Sequence, residues 1–191
     1  MTRDADAGRL AAELIDRLGR LLRAEGHGGR LNPAQWDALR YLLRCNRFSN
    51  TPGALARYLN ATKGTVSQTL NALERKGLVA RRPDAASGRV VRLTPTAAGR
   101  ALAGDDPLLA LADAASALKP EQLDAMTRGL SALLARVQDA HGLKPFGICR
   151  TCRHFRPDAS GGRPHWCALL TEPLSAKDSL AICAEHEPRA A

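Results

Sequence analysis

Aromatic residues are scarce: three Phe, two Trp and two Tyr make up 4% of the 191 residues. A core with so few rings rests on Leu, Ala and Val, a composition that suits packed helices. No apolar run approaches the roughly 20 residues needed to span a bilayer, so no membrane partner is expected. The N-terminus, Met1-Thr2-Arg3-Asp4-Ala5-Asp6, lacks a basic segment followed by an apolar one. A secretory signal is therefore not expected, and the reading is a cytoplasmic protein. Hydrophobic residues at 45% and charged residues at 25% exclude a disordered chain.

Acidic residues are also nearly missing from one stretch. Residues 57–92 hold eight basic side chains (Arg57, Lys63, Arg75, Lys76, Arg81, Arg82, Arg89, Arg92) against Glu74 and Asp84. They carry +6 of a net +9. Such a concentrated basic patch points to a polyanion, and double-stranded DNA leads the candidates.

What is present is mostly helical periodicity. Leu10, Leu14, Leu18, Leu21 and Leu22 predict an amphipathic helix over 4–25, ended by the turn cluster Gly26-His27-Gly28-Gly29. Asn32-Pro33 and Thr51-Pro52 each read as an N-cap with proline at the first helical position. Thr62 caps a third helix, which runs to Lys76, buries Val66, Leu70 and Leu73, and stops at Gly77. Two helices joined by about three residues form a helix-turn-helix.

Leu78–Arg82 and Arg89–Leu93 read as strands joined by the turn residues Pro83-Asp84-Ala85-Ala86-Ser87-Gly88. Thr94 is expected to cap the next helix, from Pro95. After Lys119-Pro120, Leu123, Met126, Leu130, Leu133, Leu134 and Val137 make a long apolar stripe. The predicted fold is mainly α with a small β-hairpin wing, a winged helix-turn-helix. The N- and C-terminal helices carry more apolar face than one small domain covers and are assigned to dimerisation.

On the third helix, Lys63, Thr65, Ser67, Gln68 and Asn71 remain on or beside the outer surface. Short donors and acceptors on the N-terminal half of a helix suit base edges in a major groove. Thr51, Thr62 and Arg75 join this DNA-facing set. Arg81, Arg82, Arg89 and Arg92 on the hairpin are placed against phosphates or a minor groove.

These segments resemble the MarR-type winged-helix regulators. The resemblance lies in Thr62-Lys63-Gly64-Thr65-Val66-Ser67, in Leu73-Glu74-Arg75-Lys76-Gly77-Leu78-Val79 and in Arg92-Leu93-Thr94-Pro95-Thr96-Ala97-Ala98-Gly99. It covers roughly residues 5–140. It implies a transcriptional regulator, usually a repressor, that binds a palindromic operator as a homodimer and is relieved by a small-molecule effector or by oxidation. Two departures stand out. The family's wing often carries Asp-x-Arg, where this chain has Asp84-Ala85-Ala86-Ser87-Gly88-Arg89. Gly64 stands where many relatives have another residue.

Cysteine usage divides the chain. Cys45 stands alone, and Cys149, Cys152, Cys167 and Cys183 all fall within the last 43 residues. Residues 1–144 are accordingly read as the DNA-binding and dimerisation domain, with the winged core at about 31–100, and 145–191 as a Cys-rich tail. A Cys-x-x-Cys with two further cysteines matches a tetrathiolate metal centre, structural or sensory. Zinc is the base-rate metal and an iron–sulfur cluster the close second, with free or disulfide thiols third. His186, in Cys183-Ala184-Glu185-His186, is the substitute ligand; His154 and His165 read as solvated loop residues. Ser175 is expected to cap a short helix that delivers Cys183.

Cys45, at the end of an apolar helix, is read as a small buried hydrophobe rather than a redox switch. No catalytic set is evident, and an enzyme is not expected. The alternatives from other classes are a metal-dependent enzyme centred on the tail, with the winged helix as a docking arm, or a protein-interaction module.

Overall fold

The computed structural model describes residues 3–25, 30–84, 87–158 and 164–189. The glycine cluster at 26–29 and residues 85 and 86 of the hairpin turn lie outside these. Helix α1 spans Arg3–Glu25, α2 Pro33–Arg44, α3 Pro52–Tyr58 and α4 Lys63–Arg75. Each start from α2 to α4 has a local cause. The Asn32 side chain accepts a hydrogen bond from the Gln35 amide at 2.9 Å, and the Gln35 side-chain oxygen in turn accepts from the Asn32 amide at 3.3 Å. Thr51 accepts from the Ala54 amide, and Thr62 from the Thr65 amide. Gly77 ends α4 at φ 69°, the left-handed conformation that glycine adopts without cost.

The hairpin pairs β1 (Val79–Pro83) with β2 (Val91–Pro95), antiparallel, Arg82 opposite Arg92. The second strand thus begins two residues later than predicted, and Arg89 sits in the turn. The extra pairing at its far end, Val79 opposite Pro95, also displaces the predicted cap. Thr94 stays in the strand, and Thr96 caps α5 (Ala97–Leu102) by accepting from the Gly99 amide. Gly99 packs so tightly that a Cβ there would lie 2.2 Å from the Leu78 carbonyl oxygen.

One core joins these parts. Trp36, Leu39 and Leu42 of α2, Leu55 of α3, Val66, Leu70 and Leu73 of α4, and Leu93 of the wing form a single buried cluster. Helices α6 (Leu108–Ser116) and α7 (Pro120–Ala140) bury no residue. Leu10, Leu14, Leu18 and Leu21 of α1 and Leu130, Leu133, Leu134 and Val137 of α7 are all exposed. Arg40 anchors the approach to α6 through Asp106, whose carboxylate also accepts from the Leu108 amide.

The tail is not a separate ball. Strand β3 (Gly147–Ile148) pairs with β7 (Ile182–Cys183), and β4 (Phe155–Pro157), β5 (His165–Cys167) and β6 (Glu172–Leu174) form a three-stranded sheet. Ser175 caps the one-turn helix α8 (Ala176–Ser179), with Asp178 closing the capping box. Ile182 and Ala184 enter the winged helix's own core. Three of the few aromatic rings meet at this junction: Tyr41 lies 4.6 Å from Tyr58, and Tyr58 lies 5.2 Å from Phe146, centroid to centroid. Arg47 reaches Asp178 at 2.9 Å, and Arg57 reaches Glu185 at 3.0 Å.

Candidate nucleic-acid interface and thiol pocket

The turn between α3 and α4 is short because Asn60 takes a left-handed conformation, φ 48°. With Val66, Leu70 and Leu73 inward, α4 leaves Lys63, Thr65, Ser67, Gln68, Asn71 and Arg75 exposed. No carboxylate interrupts this face before Glu74. Among the described residues, the side chains of Lys63, Gln68, Arg75, Arg82 and Arg89 make no hydrogen bond or ion pair, so their polar groups remain available.

Other members of the predicted DNA-facing set are engaged internally. Thr51 and Thr62 cap helices, and the Thr62 and Thr65 hydroxyls share a hydrogen bond at 2.9 Å. The Arg81 guanidinium donates to the Asn71 side-chain oxygen at 2.6 Å and approaches Glu74 at 3.5 Å, which braces the wing against α4. Arg92 pairs with Asp84 at 2.5 Å and donates to the carbonyls of Arg47 and Phe48. Its donors tie the base of the wing to the turn before α3. The acidic partner the wing retains, Asp84, is thus matched across the hairpin with Arg92 rather than with Arg89.

The four tail cysteines come from three segments: the single turn after β3 carries Cys149 and Cys152 at its two ends, β5 carries Cys167 and β7 carries Cys183. They line one small cavity together with Phe155, Leu169, Leu170, Leu174, His154 and Glu185. All are free thiols. Cys149 and Cys183 interact directly. Contact with the Cys149 thiol pushes the Cys183 thiol down to about 6 against its burial, while the same contact and burial push Cys149 up. Among the described residues, no three His, Cys, Asp or Glu side chains converge closely enough to hold one metal ion.

His186, the substitute ligand of the sequence reading, is absent from this lining. Its ring packs on Gly147, its Nε2 lies 3.0 Å from the Thr151 hydroxyl, and burial lowers its pKa. His154 and His165 are half-buried rather than solvated: His154 sits 3.2 Å from Glu187, and His165 packs on Phe155.

Sequence reasoning missed Asn46. It is only 2% exposed, and its Nδ2 donates to the Cys149 sulfur at 3.2 Å. Its Oδ1 accepts from the amides of Phe48 and Ser49. Nothing local in the sequence marks a residue whose partner lies 103 positions away. Cys45, next to it, is half-buried, and burial pushes its thiol up to about 12, which agrees with an inert side chain.

The sequence model of the MarR family matches residues 31–90, the segment that holds the helix-turn-helix and most of the hairpin. A search of curated proteins finds no match. Among solved structures, the chain is similar to the S. aureus MepR–DNA complex at 22% identity, covering 72% of this chain and 100% of that one, with a TM-score of 0.56. It is similar to Streptococcus pneumoniae FabT in complex with DNA at 24% identity, covering 70% and 99%, TM-score 0.55. A MarR transcriptional regulator from Methanosarcina mazei Go1 shares 21% identity over 69% and 99%, TM-score 0.57. The fold is therefore a MarR-like winged helix. Among the described residues no helix is long and apolar enough to cross a membrane.

Proposed function

We propose that the chain is a sequence-specific DNA-binding transcriptional regulator that works as a homodimer, with repression the direction implied by its resemblance to the MarR-type regulators. The observation that carries this reading is the face of α4 that holds no carboxylate before Glu74, with the Gln68 and Lys63 side chains unpaired among the described residues, beside a wing that presents Arg82 and Arg89. A helix N-terminal half with these side chains suits the major groove, and the wing arginines suit the neighbouring backbone or minor groove. The MarR family match over residues 31–90 supports it, as do the MepR and FabT neighbours, which were solved with DNA.

The homodimer reading is supported by the apolar faces of α1 and α7, which no element among the described residues covers. Two copies joined there would present two α4 helices to successive grooves of a palindrome, about 34 Å apart along the duplex. Selection from a random duplex library, followed by sedimentation of the free protein, tests the proposal. The expected outcome is a dimer that enriches an inverted repeat and loses affinity steeply as salt rises. A monomer that enriches nothing at low ionic strength would overturn it.

A further inference from the structure

The thiol pocket has a size and a chemistry of its own. A single zinc ion holds four sulfurs at about 2.3 Å, which places them about 3.8 Å apart with no void between. Here the four cysteines surround a cavity with ≈ 20 Å³ for the centre of a water-sized body. That corresponds to a void roughly 6 Å across. No three ligating side chains among the described residues converge on a one-ion site. The rest of the wall is largely apolar, with Phe155 and Leu174 buried, so a bound group would be shielded from water.

The sulfurs also have donors aimed at them. Asn46 Nδ2 donates to Cys149 at 3.2 Å, and the Glu187 amide to Cys152 at 3.5 Å. N–H groups directed at sulfur stabilise the negative charge that thiolate ligands carry and tune the potential of a cluster bound there.

We propose that Cys149, Cys152, Cys167 and Cys183 bind an iron–sulfur cluster of the [4Fe–4S] type, and that Asn46 is its positioning residue. Insertion of a preformed cluster is ligand exchange. Four Fe–S bonds to the cysteines form as four bonds to the carrier's thiolates break. Each cysteine proton passes to a departing thiolate, and no electron moves. This site is independent of the DNA-binding reading: either could fail alone.

The full-length protein, purified without oxygen, is offered a preformed [4Fe–4S] complex with small thiolate ligands, or zinc(II), in separate and competing mixtures. The expected result is uptake of about four iron and four sulfide per chain with visible charge-transfer absorption. Cys167→Ser should abolish uptake, whereas Cys45→Ser, outside the pocket, should retain it. Stoichiometric zinc without sulfide, or no uptake of either, would overturn the cluster.

Asn46→Asp keeps the acceptor used by Phe48 and Ser49 but replaces the donor to Cys149 with an acceptor. It should release the cluster to a chelator 10- to 100-fold more readily, on the order of an outer-shell loss, and shift its reduction potential. Unchanged retention and potential would remove Asn46 from this role. Should that variant misfold, double-resonance spectra of the reduced wild-type cluster provide the second measurement. With asparagine alone labelled with nitrogen-15, coupling of the cluster to a labelled nitrogen supports the Asn46 contact, and its absence refutes it, since the Glu187 amide at Cys152 carries no label.

Discussion

Gln68→Ala separates a reading helix from a helix that merely rests on DNA. Gln68 is exposed on α4 and, among the described residues, its side chain makes no hydrogen bond. Its neighbours differ: Asn71 already accepts from Arg81, and Thr65 is tied to Thr62. Truncating Gln68 therefore removes no internal contact, and alanine's better helix propensity shifts stability by at most a few tenths of a kcal/mol. What is lost is the amide that pairs with a base, worth about 1–3 kcal/mol of discrimination when bidentate. At about 1.4 kcal/mol per factor of ten, preference for the best site over its single-base variants should fall roughly 5- to 150-fold at one position. Competition anisotropy on the selected duplex and its variants, at one salt concentration, reads this directly. Arg82→Ala is the contrast. Its loss should weaken every duplex alike and lower the salt slope by about one. If Gln68→Ala weakened all duplexes by one common factor, or left the preference intact, α4 would not be the element that reads sequence.

Three further outcomes follow from the packing. Gly99→Ala should destabilise the fold by about 3 kcal/mol, because a Cβ would collide with the Leu78 carbonyl at 2.2 Å, and thermal melts should fall by about 6–12 °C. Leu130→Glu combined with Leu134→Glu should raise the dimer dissociation constant by at least about 100-fold, the equivalent of about 3 kcal/mol of lost apolar burial, without lowering the helical content read by circular dichroism. Sedimentation at several concentrations measures it, and an unchanged dimer would exclude α7 from the interface. Burial would raise the Asp106 pKa, but the hydrogen bonds and charge of Arg40 outweigh it and hold the carboxyl below its ordinary value. A depressed carboxyl contributes its full stability above the unfolded-state pKa and loses it as pH falls through the folded one. Asp106→Asn should therefore flatten the acid limb of stability measured by denaturant titration between about pH 5 and pH 2, and an unaltered limb would refute the coupling.

The capping residues were legible because capping is local. Asn32, Thr51, Thr62 and Ser175 each bond an amide three residues ahead, a distance that backbone geometry fixes without reference to the rest of the fold. Thr94 misled for the opposite reason. Pairing of β2 with β1 extended to Pro95, and the ladder outcompeted the local cap, which passed to Thr96. The DNA-facing set was legible as a pattern of exposed polar residues, yet the pattern could not separate free side chains such as Gln68 and Arg82 from Arg81 and Arg92. The latter two found partners only once the hairpin closed against α4 and the turn after α2.

The chain's letters alone determine its helices, its hairpin, its basic stretch and the spacing of four thiols, because each depends on contacts a few residues apart. Tertiary structure alone decides that the tail shares the winged helix's core, that Asn46 meets Cys149, and that His186 turns away from the thiols. Those outcomes join residues many positions apart, and burial of apolar surface selects them without leaving a local mark on either partner.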